Sequence, residues 1–412
     1  MKAQLIEKIF ADTAYVRMGG SAEELKTAEY LQSVCRELGL DARLEAFEVD
    51  MATVHTATLT VDGRDIPCKG YLCAGSGEVE APLYYLNEDY DRYSLSLCRG
   101  KIVLFDGYLG YWKYRDMLEN GAVGFVSYDG NVNYTDRDID HRELRSYVSQ
   151  GDKIPGVNIN AKDAVDIING NGNGKMAKIT LAQEEYKGSS HNVIVDLPGE
   201  TDEQIVFTAH YDTTSLSQGA YDNMSGCIGL LGMAEHFASH PHRYSLRFIF
   251  CGSEERGLLG SKAYCAAHEE ELSKIALVIN LDMIGCIMGK FIACITAENQ
   301  LTNYLSYLGC ELGFGIKAYQ DVYSSDSTPF ADRGVPAGSF ARIAGRDLAP
   351  IHNSYDTAAV MKTEHMQKDI EFITAFASRM ANAALCPVSR TIPDNIKDKL
   401  DEYLLRKRPK RG

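Results

Sequence analysis

From residue 190 onward, apolar runs of strand length alternate with segments whose apolar residues recur at helical spacing. Apolar strands that alternate with helices imply a parallel or mostly parallel sheet covered by helices on both faces. This rhythm predicts an α/β fold with a mostly parallel, mixed sheet sandwiched by helices. The strand segments are HNVIVDL at 191–197, QIVFTAH at 204–210, LRFIFCG at 246–252 and ALVINLD at 276–282, and the helical segments are Gly226–Ser239, Gly260–His268 and Ala297–Gly313.

The residues before 190 predict two further regions. Ser21 and Glu24 form a capping box, and apolar residues at helical spacing follow them as far as Gly39. ARLEAFEV and HTATLTV then alternate as two strands, and the Asp62–Gly63 turn closes the second. Beyond it, short strands are separated by polar, tyrosine-rich loops. We therefore expect a catalytic domain built from 1–63 and 187–386, a β-rich insertion at 64–186 and a tail at 387–412.

Charge and cysteine usage narrow the class of protein. The net charge of −15 argues against holding nucleic acid through the field of the whole protein. No stretch approaches the roughly 18 apolar residues that cross a bilayer, and the charged N-terminus lacks the apolar core of a secretory signal. The odd number of scattered cysteines, eleven, is typical of reduced thiols. We expect a cytoplasmic protein without a nucleic-acid or membrane partner, and the oligomeric state stays open.

Histidines and carboxylates follow one strand after another in the α/β region. In open α/β sheets, ligands bind at the carboxyl ends of the strands. Singly these residues are weak signals, because a lone histidine is usually structural and an aspartate after a strand is often a helix cap. Together they suit a divalent metal ion, zinc above all. The number of carboxylates makes a pair of ions bridged by one carboxylate plausible. The residues are His210, Asp212, Asp222, Glu254, Glu255, Asp282 and His352.

Five motifs place these residues in a recognised order. They are HYDT at 210–213, YDNMSG at 221–226, SEERGLLGS at 253–261, NLDMIG at 280–285 and IHNSYDT at 351–357. In order and approximate spacing they resemble the co-catalytic di-zinc aminopeptidases, a family that includes aminopeptidase S, aminopeptidase Y and the glutamate carboxypeptidase II relatives. The middle segment resembles the protease-associated (PA) domain that many members carry as an insertion. Its signals are LCRGKIVLFDG at 97–107, ENGAVGFVSY at 119–128 and IPGVNIN at 154–160.

The resemblance implies an exopeptidase that cleaves N-terminal residues from peptides with two zinc ions, although Co²⁺ or Mn²⁺ would also suit the ligands. Asp212 would accept a hydrogen bond from a metal-binding histidine, fixing its ring. Glu254 would act as general base toward a zinc-bound water, whose pKa the metal lowers to about 7. The implied ligands are His210 and Asp282 for one ion, Glu255 and His352 for the other, and Asp222 for both.

Three alternatives to an aminopeptidase stay open. A carboxypeptidase or dipeptidase would use the same ligands and would need an arginine near the metals, for which Arg256, Arg342 and Arg346 are candidates. A glutaminyl-cyclase-like enzyme would use a similar frame with one zinc. A catalytically silent binding protein would typically lose ligands, whereas all five ligand positions and the base are retained here.

Several further residues carry weaker expectations. Ser327 stands where many family members have histidine or tyrosine, so substrate specificity is expected to differ. Tyr323 would either reach the oxyanion or pack in the interior. We predict that His236, His240 and His242 lie at an exposed helix terminus, away from the strand ends, and bind no metal.

Overall fold

The computed structural model describes residues 1–345 and 348–409. The helices in this part of the chain are α1 Ala3–Asp12, α2 Ala22–Glu37, α3 Arg92–Ser96, α4 Tyr111–Glu119, α5 Ser146–Ser149, α6 Ala161–Asn169, α7 Ser225–Ser239, α8 Leu259–Ala267, α9 Asn299–Leu312, α10 Ser327–Asp332, α11 Thr363–Ala381 and α12 Asp394–Tyr403. The strands are β1 Ala42–Val61, β2 Arg64–Ile66, β3 Lys69–Gly70, β4 Gly77–Leu86, β5 Ile102–Phe105, β6 Gly124–Asp129, β7 Gly156–Asn160, β8 Met176–Leu197, β9 Thr201–His210, β10 Tyr244–Cys251, β11 Ile275–Leu281, β12 Lys290–Ile295, β13 Lys317–Gln320 and β14 Ala337–Ile343.

The chain divides into two compact units. One consists of Met1–Glu48 with Ser189–Gly412, and the other of Val49–Gly188. The chain leaves the first unit within β1 and returns within β8, so the division falls at 48/49 and not at the expected position after residue 63. The two strands expected before that position form the single strand β1, because no glycine, proline or asparagine interrupts residues 42–61.

The sheet of the first unit has the order β13-β12-β14-β11-β9-β10-β8. The central pairs β14/β11, β11/β9 and β9/β10 are parallel, as is the edge pair β12/β13. Strand β12 is antiparallel to β14, and β8 is antiparallel to β10. The predicted mostly parallel, mixed sheet is confirmed.

Helices cover both faces of this sheet, because successive residues of the central strands point into different cores. On one face, Phe207 and Phe248 stack with ring centroids 4.5 Å apart and pack with Phe237 of α7. On the other face, Val206 packs in a core that contains Tyr264 of α8. Burying each aromatic or large aliphatic side chain contributes roughly 1.5–3 kcal/mol, so the two cores fix the strands and the loops that follow them.

The second unit has its own sheet, in which β4, β5, β6 and β7 are parallel neighbours. Strand β3 closes one edge antiparallel to β7, and β8 pairs antiparallel with β4. Helices α3–α5 connect the parallel strands, and α6 connects β7 to β8. The resemblance of this segment to a PA domain stays a prediction.

The C-terminal region, expected as a tail, contains helix α12. Its Ile396 and Leu400 are buried and pack with Ala331 of α10. Residues 410–412, the end of this region, lie outside the described residues. All eleven cysteines are free thiols. Within the described chain, no helix is both long enough and apolar enough to cross a membrane.

Candidate metal centre

Three neighbouring parallel strands bring their following residues to one edge of the sheet. His210 is the last residue of β9 and lies beside Cys251, the last residue of β10. Glu254 lies three positions after Cys251, in the loop between β10 and α8, and Asp282 follows β11 directly. Because β10 and β11 flank β9 on its two sides, these side chains converge around His210.

The first group of potential metal ligands comprises His210, Asp222 and Asp282. One donor atom from each lies within 4.8 Å of the others. Nε2 of His210 is 3.1 Å from Oδ1 of Asp222 and 3.8 Å from Oδ1 of Asp282. All three residues are buried. Asp222 reaches the site from an irregular turn that precedes α7, where the Asp222–Asn223 peptide bond is cis.

The second group comprises Asp222, Glu255 and His352, again within 4.8 Å. Nε2 of His352 is 3.1 Å from Oδ2 of Asp222 and 3.1 Å from Oε1 of Glu255. The two oxygens of Asp222 therefore face two different histidines. The His352 side chain is 41% exposed, whereas that of His210 is 1% exposed. The second group thus lies on the solvent side of the centre.

The donor set of the two groups fits divalent cations. Imidazole nitrogen and carboxylate oxygen are the ligands that zinc takes in catalytic sites. Oδ1 of Asp282 is buried and has no hydrogen-bond partner among the described residues, as is typical of an atom that a cation would satisfy. Burial opposes ionisation of Asp222, but hydrogen bonds from His210 and His352 outweigh it and hold its pKa below the usual range. Both oxygens of Asp222 are thus charged and directed at the two groups.

Glu254 lies beside these ligands but belongs to neither group. Its Oε2 is 3.9 Å from Nε2 of His210, and its side chain is buried. Burial raises the pKa of Glu254 well above its usual value; the positive charge of His210 opposes this shift and the negative charge of Glu255 adds to it. A carboxyl group with a raised pKa can both accept and return a proton.

Asp212 contacts the loop that carries the two glutamates. Its Oδ1 accepts the backbone N–H of Glu254 at 2.9 Å and its Oδ2 that of Glu255 at 3.1 Å. The expected bond from His210 is weak by comparison, because Nδ1 of His210 is 3.5 Å from Oδ1 of Asp212. The main contacts of Asp212 are therefore with the backbone that orients Glu254 and Glu255.

Asp356 is a buried residue of the site that the sequence argument did not single out. It accepts the backbone N–H groups of Tyr221 at 2.8 Å and Asp222 at 3.1 Å, and the hydroxyl of Ser217 at 3.2 Å. Burial raises its pKa to about 6, and the charge of Asp222 adds to the shift. The signal was its place in IHNSYDT, four residues after His352. Asp356 holds the turn that presents Asp222.

Tyr323 and Ser327 follow one another in the same segment but differ in their surroundings. The hydroxyl of Tyr323 is buried, and no residue in the described part of the chain forms a hydrogen bond with it. Burial raises its pKa, and the negative charges of Asp282 and Asp222 add to the shift. Ser327 is buried, and its Oγ is 2.8 Å from Oγ of Ser339. It occupies the protein interior where larger residues stand in the family it resembles.

The histidine cluster His236, His240 and His242 lies around the end of α7. The rings of His236 and His240 stack with centroids 3.9 Å apart, and Nδ1 of His240 lies 2.8 Å from the carbonyl oxygen of His236. None of the three belongs to a potential metal group among the described residues.

The candidate arginines differ in what they contact. Arg342 forms a two-pronged ion pair with Asp369 through Nε, at 2.9 Å, and Nη2. Arg256 is buried, and its Nη1 donates to the carbonyl of Gly19 at 3.2 Å. Arg346 lies outside the described residues. The guanidinium of Arg342 is thus committed to a carboxylate of the protein itself.

Comparison with known proteins gives consistent similarities. Residues 192–377 match peptidase family M28. Aminopeptidase YwaD of Bacillus subtilis (strain 168) is 28% identical over 383 residues, which are 87% of this chain and 80% of that protein. The structure of BSAP, a zinc aminopeptidase from Bacillus subtilis, has a TM-score of 0.77 at 25% identity and covers 97% of this chain and 98% of its own. The aminopeptidase from Aneurinibacillus sp. strain AM-1 shares the fold, with a TM-score of 0.74, 23% identity and 94% and 96% coverage.

Proposed function

We propose that this chain, whose residues 192–377 match peptidase family M28 and which is a zinc metallopeptidase, removes single residues from the N-terminus of peptides. The observation that carries the proposal is the placement of Asp222 between two histidines, with Oδ1 3.1 Å from His210 and Oδ2 3.1 Å from His352. Together with Asp282 and Glu255, this gives two adjacent ligand groups that share one carboxylate. Such an arrangement suits two zinc ions.

In the proposed site, His210 and Asp282 would hold one zinc, Glu255 and His352 would hold the other, and Asp222 would contribute to both. Bound zinc supplies Lewis-acid polarisation of the scissile carbonyl and acidifies the attacking water. The His352 side chain is exposed, so the second ion would lie on the solvent side of the site, where a peptide could reach it.

Glu254 supplies the proton transfers. It takes a proton from the water as the new C–O bond forms, and it returns that proton to the amine as the C–N bond breaks. Its raised pKa suits both steps, since a carboxyl group that is too acidic would not deliver the proton. The hydroxyl of Tyr323, buried near Asp282 and Asp222 without a partner, is available to donate to the developing oxyanion.

Asp212 and Asp356 orient this machinery without contacting the peptide. Asp212 holds the backbone of Glu254 and Glu255, and Asp356 holds the backbone of Asp222. Contacts of this kind fix the direction of metal ligands, and removing one typically lowers metal affinity or activity about 10–100-fold.

An aminopeptidase is favoured over a carboxypeptidase because of the arginines. A site that reads a free carboxylate needs an available cation near the metals. Of the two candidate arginines that the structure describes, Arg342 is paired with Asp369, and Arg256 donates from Nη1 to the backbone carbonyl of Gly19. A free substrate amine, by contrast, needs only a metal position and neighbouring carboxylates, which this site provides.

Substrates with free and blocked ends test the proposal. The zinc-loaded enzyme is expected to hydrolyse amino-acid 4-nitroanilides and short peptides with a free amine, and to leave the N-acetylated forms of the same peptides intact. Chelation should abolish the activity, and added zinc should restore it. Release of C-terminal residues from N-blocked peptides would replace the proposal by the carboxypeptidase alternative. Absence of any zinc-dependent hydrolysis would refute peptidase activity.

A further inference from the structure

Glu24 of α2 is a buried carboxylate directed at the loop that carries the two site glutamates. It is 1% exposed. Its Oε1 accepts the backbone N–H of Ser253 at 2.8 Å and the hydroxyls of Ser253 and Ser190 at 3.1 and 2.9 Å. Its Oε2 accepts the backbone N–H of Gly20 at 2.6 Å. Glu24 and Ser253 are 229 residues apart in the sequence, so this contact joins the N-terminal segment to the catalytic loop.

The local role that the sequence predicts for Glu24 accounts for only part of these contacts. Ser21 caps α2 by accepting the backbone N–H of Glu24 at 3.1 Å. In a complete capping box the glutamate would return to the N–H of Ser21. Here its carboxylate bonds Gly20 on one side and Ser253 on the other. The side chain therefore connects two segments instead of closing one helix.

Three successive backbone N–H groups of the loop point at buried carboxylates. Ser253 donates to Glu24, and both Glu254 and Glu255 donate to Asp212. Ser253 has a left-handed backbone with φ of +54°. Consecutive N–H groups beginning at a left-handed residue form a concavity that binds anions. In this protein two internal side chains occupy that concavity, one at each end.

We propose that Glu24 is a positioning residue, which holds Ser253 and thereby fixes the directions of Glu254 and Glu255. The inference rests on the proposed function for the roles of those two glutamates. Among the described residues, the Glu24 carboxyl group forms hydrogen bonds with Gly20, Ser190 and Ser253, none of which is a proposed zinc ligand. Its contribution is made through the backbone: Asp212 fixes the second and third N–H groups of the loop, and Glu24 fixes the first.

Two close approaches show how tightly the segments fit. A Cβ atom at Gly19 would lie 2.4 Å from Oγ of Ser253 and 2.8 Å from Cδ of Arg256. A Cβ atom at Gly252 would lie 2.9 Å from Oε1 of Glu24 and 2.5 Å from the carbonyl oxygen of His191. A side chain at either glycine would force its neighbours to shift, so both glycines allow Glu24 and the loop to pack closely together.

Burying a carboxyl group at this position costs free energy of folding, so its contacts must compensate for that cost. Burial raises the pKa of Glu24 to about 8, and the negative charge of Asp212 adds to the shift. An apolar side chain would avoid both penalties. It would, however, leave the N–H of Ser253 buried without an acceptor and the loop held at one end only.

Three substitutions of Glu24 separate reach from charge, and a fourth variant is the control. Glu24→Ala removes all four contacts, Glu24→Gln keeps the reach of an acceptor oxygen, and Glu24→Asp keeps the charge on a shorter side chain. Ser21→Ala removes the helix cap of the same helix and leaves the contact with Ser253 intact. It therefore matches the destabilisation of α2 without touching the loop. Steady-state kinetics at saturating zinc give kcat and KM, and amide hydrogen exchange of residues 252–258 is followed in metal-free protein.

The positioning role predicts a specific pattern. Glu24→Ala and Glu24→Asp lower kcat by about 10–100-fold with little change in KM, whereas Glu24→Gln, which keeps an acceptor for the N–H of Ser253 but loses the one for Gly20, loses clearly less activity than Glu24→Asp. The same two variants accelerate exchange at Ser253, Glu254 and Glu255 at least about tenfold. Ser21→Ala lowers the unfolding temperature but leaves kcat and the exchange of this loop unchanged. If Glu24→Ala does not fold, the comparison of Glu24→Asp with Glu24→Gln decides.

Wild-type kcat and exchange rates in Glu24→Asp would overturn the inference, as would equal losses in Ser21→Ala. A wild-type protein without peptidase activity would refute the proposed function instead. The exchange measurement needs neither metal nor substrate, so it would still show whether Glu24 holds the loop.

Discussion

Replacing Glu254 by glutamine tests the division of labour between the adjacent glutamates. The side chain of Glu254 belongs to neither ligand group, and its backbone N–H is held by Asp212 at 2.9 Å independently of the side chain. Glutamine has the same shape, so the loop should keep its conformation. It cannot, however, accept a proton from water or return one to an amine. We therefore expect Glu254→Gln to bind zinc normally and to lose the proton transfers alone.

The size of this loss follows from the role. General acid–base catalysis typically contributes about 10²–10⁴-fold, and each factor of ten corresponds to about 1.36 kcal/mol of activation free energy. The loss in kcat should thus correspond to a rise of about 3–5 kcal/mol in the activation free energy, with KM changed far less. Glu255→Gln should behave differently, because Oε1 of Glu255 lies 3.1 Å from His352 within a ligand group. Its first effect should be weaker zinc binding.

Three measurements on purified, zinc-equilibrated protein decide the matter: zinc content by atomic absorption, kcat and KM on an amino-acid 4-nitroanilide, and the unfolding temperature. Glu270→Gln is the matched control, since it makes the same chemical change on an exposed glutamate of the same unit. Normal turnover by Glu254→Gln would refute its assignment as the base. Loss of zinc together with turnover would show that Glu254 is a ligand.

Three further predictions concern the surrounding structure. Asp356→Asn should weaken zinc binding or activity about 10–100-fold, since an amide cannot accept both the N–H of Tyr221 and that of Asp222; a zinc titration checks this, and unchanged affinity would contradict it. Arg17→Met should lower the free energy of unfolding by roughly 2 kcal/mol or more. The buried guanidinium donates to the carbonyls of Gln218 and Gly219, and each carbonyl left without a donor costs about 1–3 kcal/mol. Urea denaturation measures the change, and an unchanged midpoint would refute the prediction. Phe207→Ala should cost about 3–5 kcal/mol by the same method, as it leaves a cavity against Phe248, and a loss below about 1 kcal/mol would mean the core refills.

The sequence predicts the sheet and part of the site for one physical reason. Parallel strands end at one edge, so residues that follow apolar strands meet there, and this reasoning reaches His210, Glu254 and Asp282 without any known relative. Asp222 and His352 come from loops whose paths the strand pattern does not determine. Their place rests on motif resemblance, and the structure brings both within 3.1 Å of one another.

Other features lie beyond local pattern. Glu24 has a sufficient local explanation as a helix cap, which conceals a contact with Ser253 across 229 residues. Arg17 lies in a segment with no periodicity, yet it is fully buried and holds the backbone of Gln218 and Gly219, shortly before Asp222. The continuity of β1 and β8 from one unit to the other also escapes prediction, because alternation in each half reads as a separate short strand.

The central claim is that Asp222 bridges two zinc ions. Crystals of the zinc-loaded protein, measured on both sides of the zinc absorption edge, test it directly. We expect two anomalous peaks roughly 3.5–4 Å apart. One zinc should be bound by His210 and Asp282 and the other by Glu255 and His352, with one oxygen of Asp222 on each. A single peak at full zinc loading, or two peaks without Asp222 between them, would contradict it.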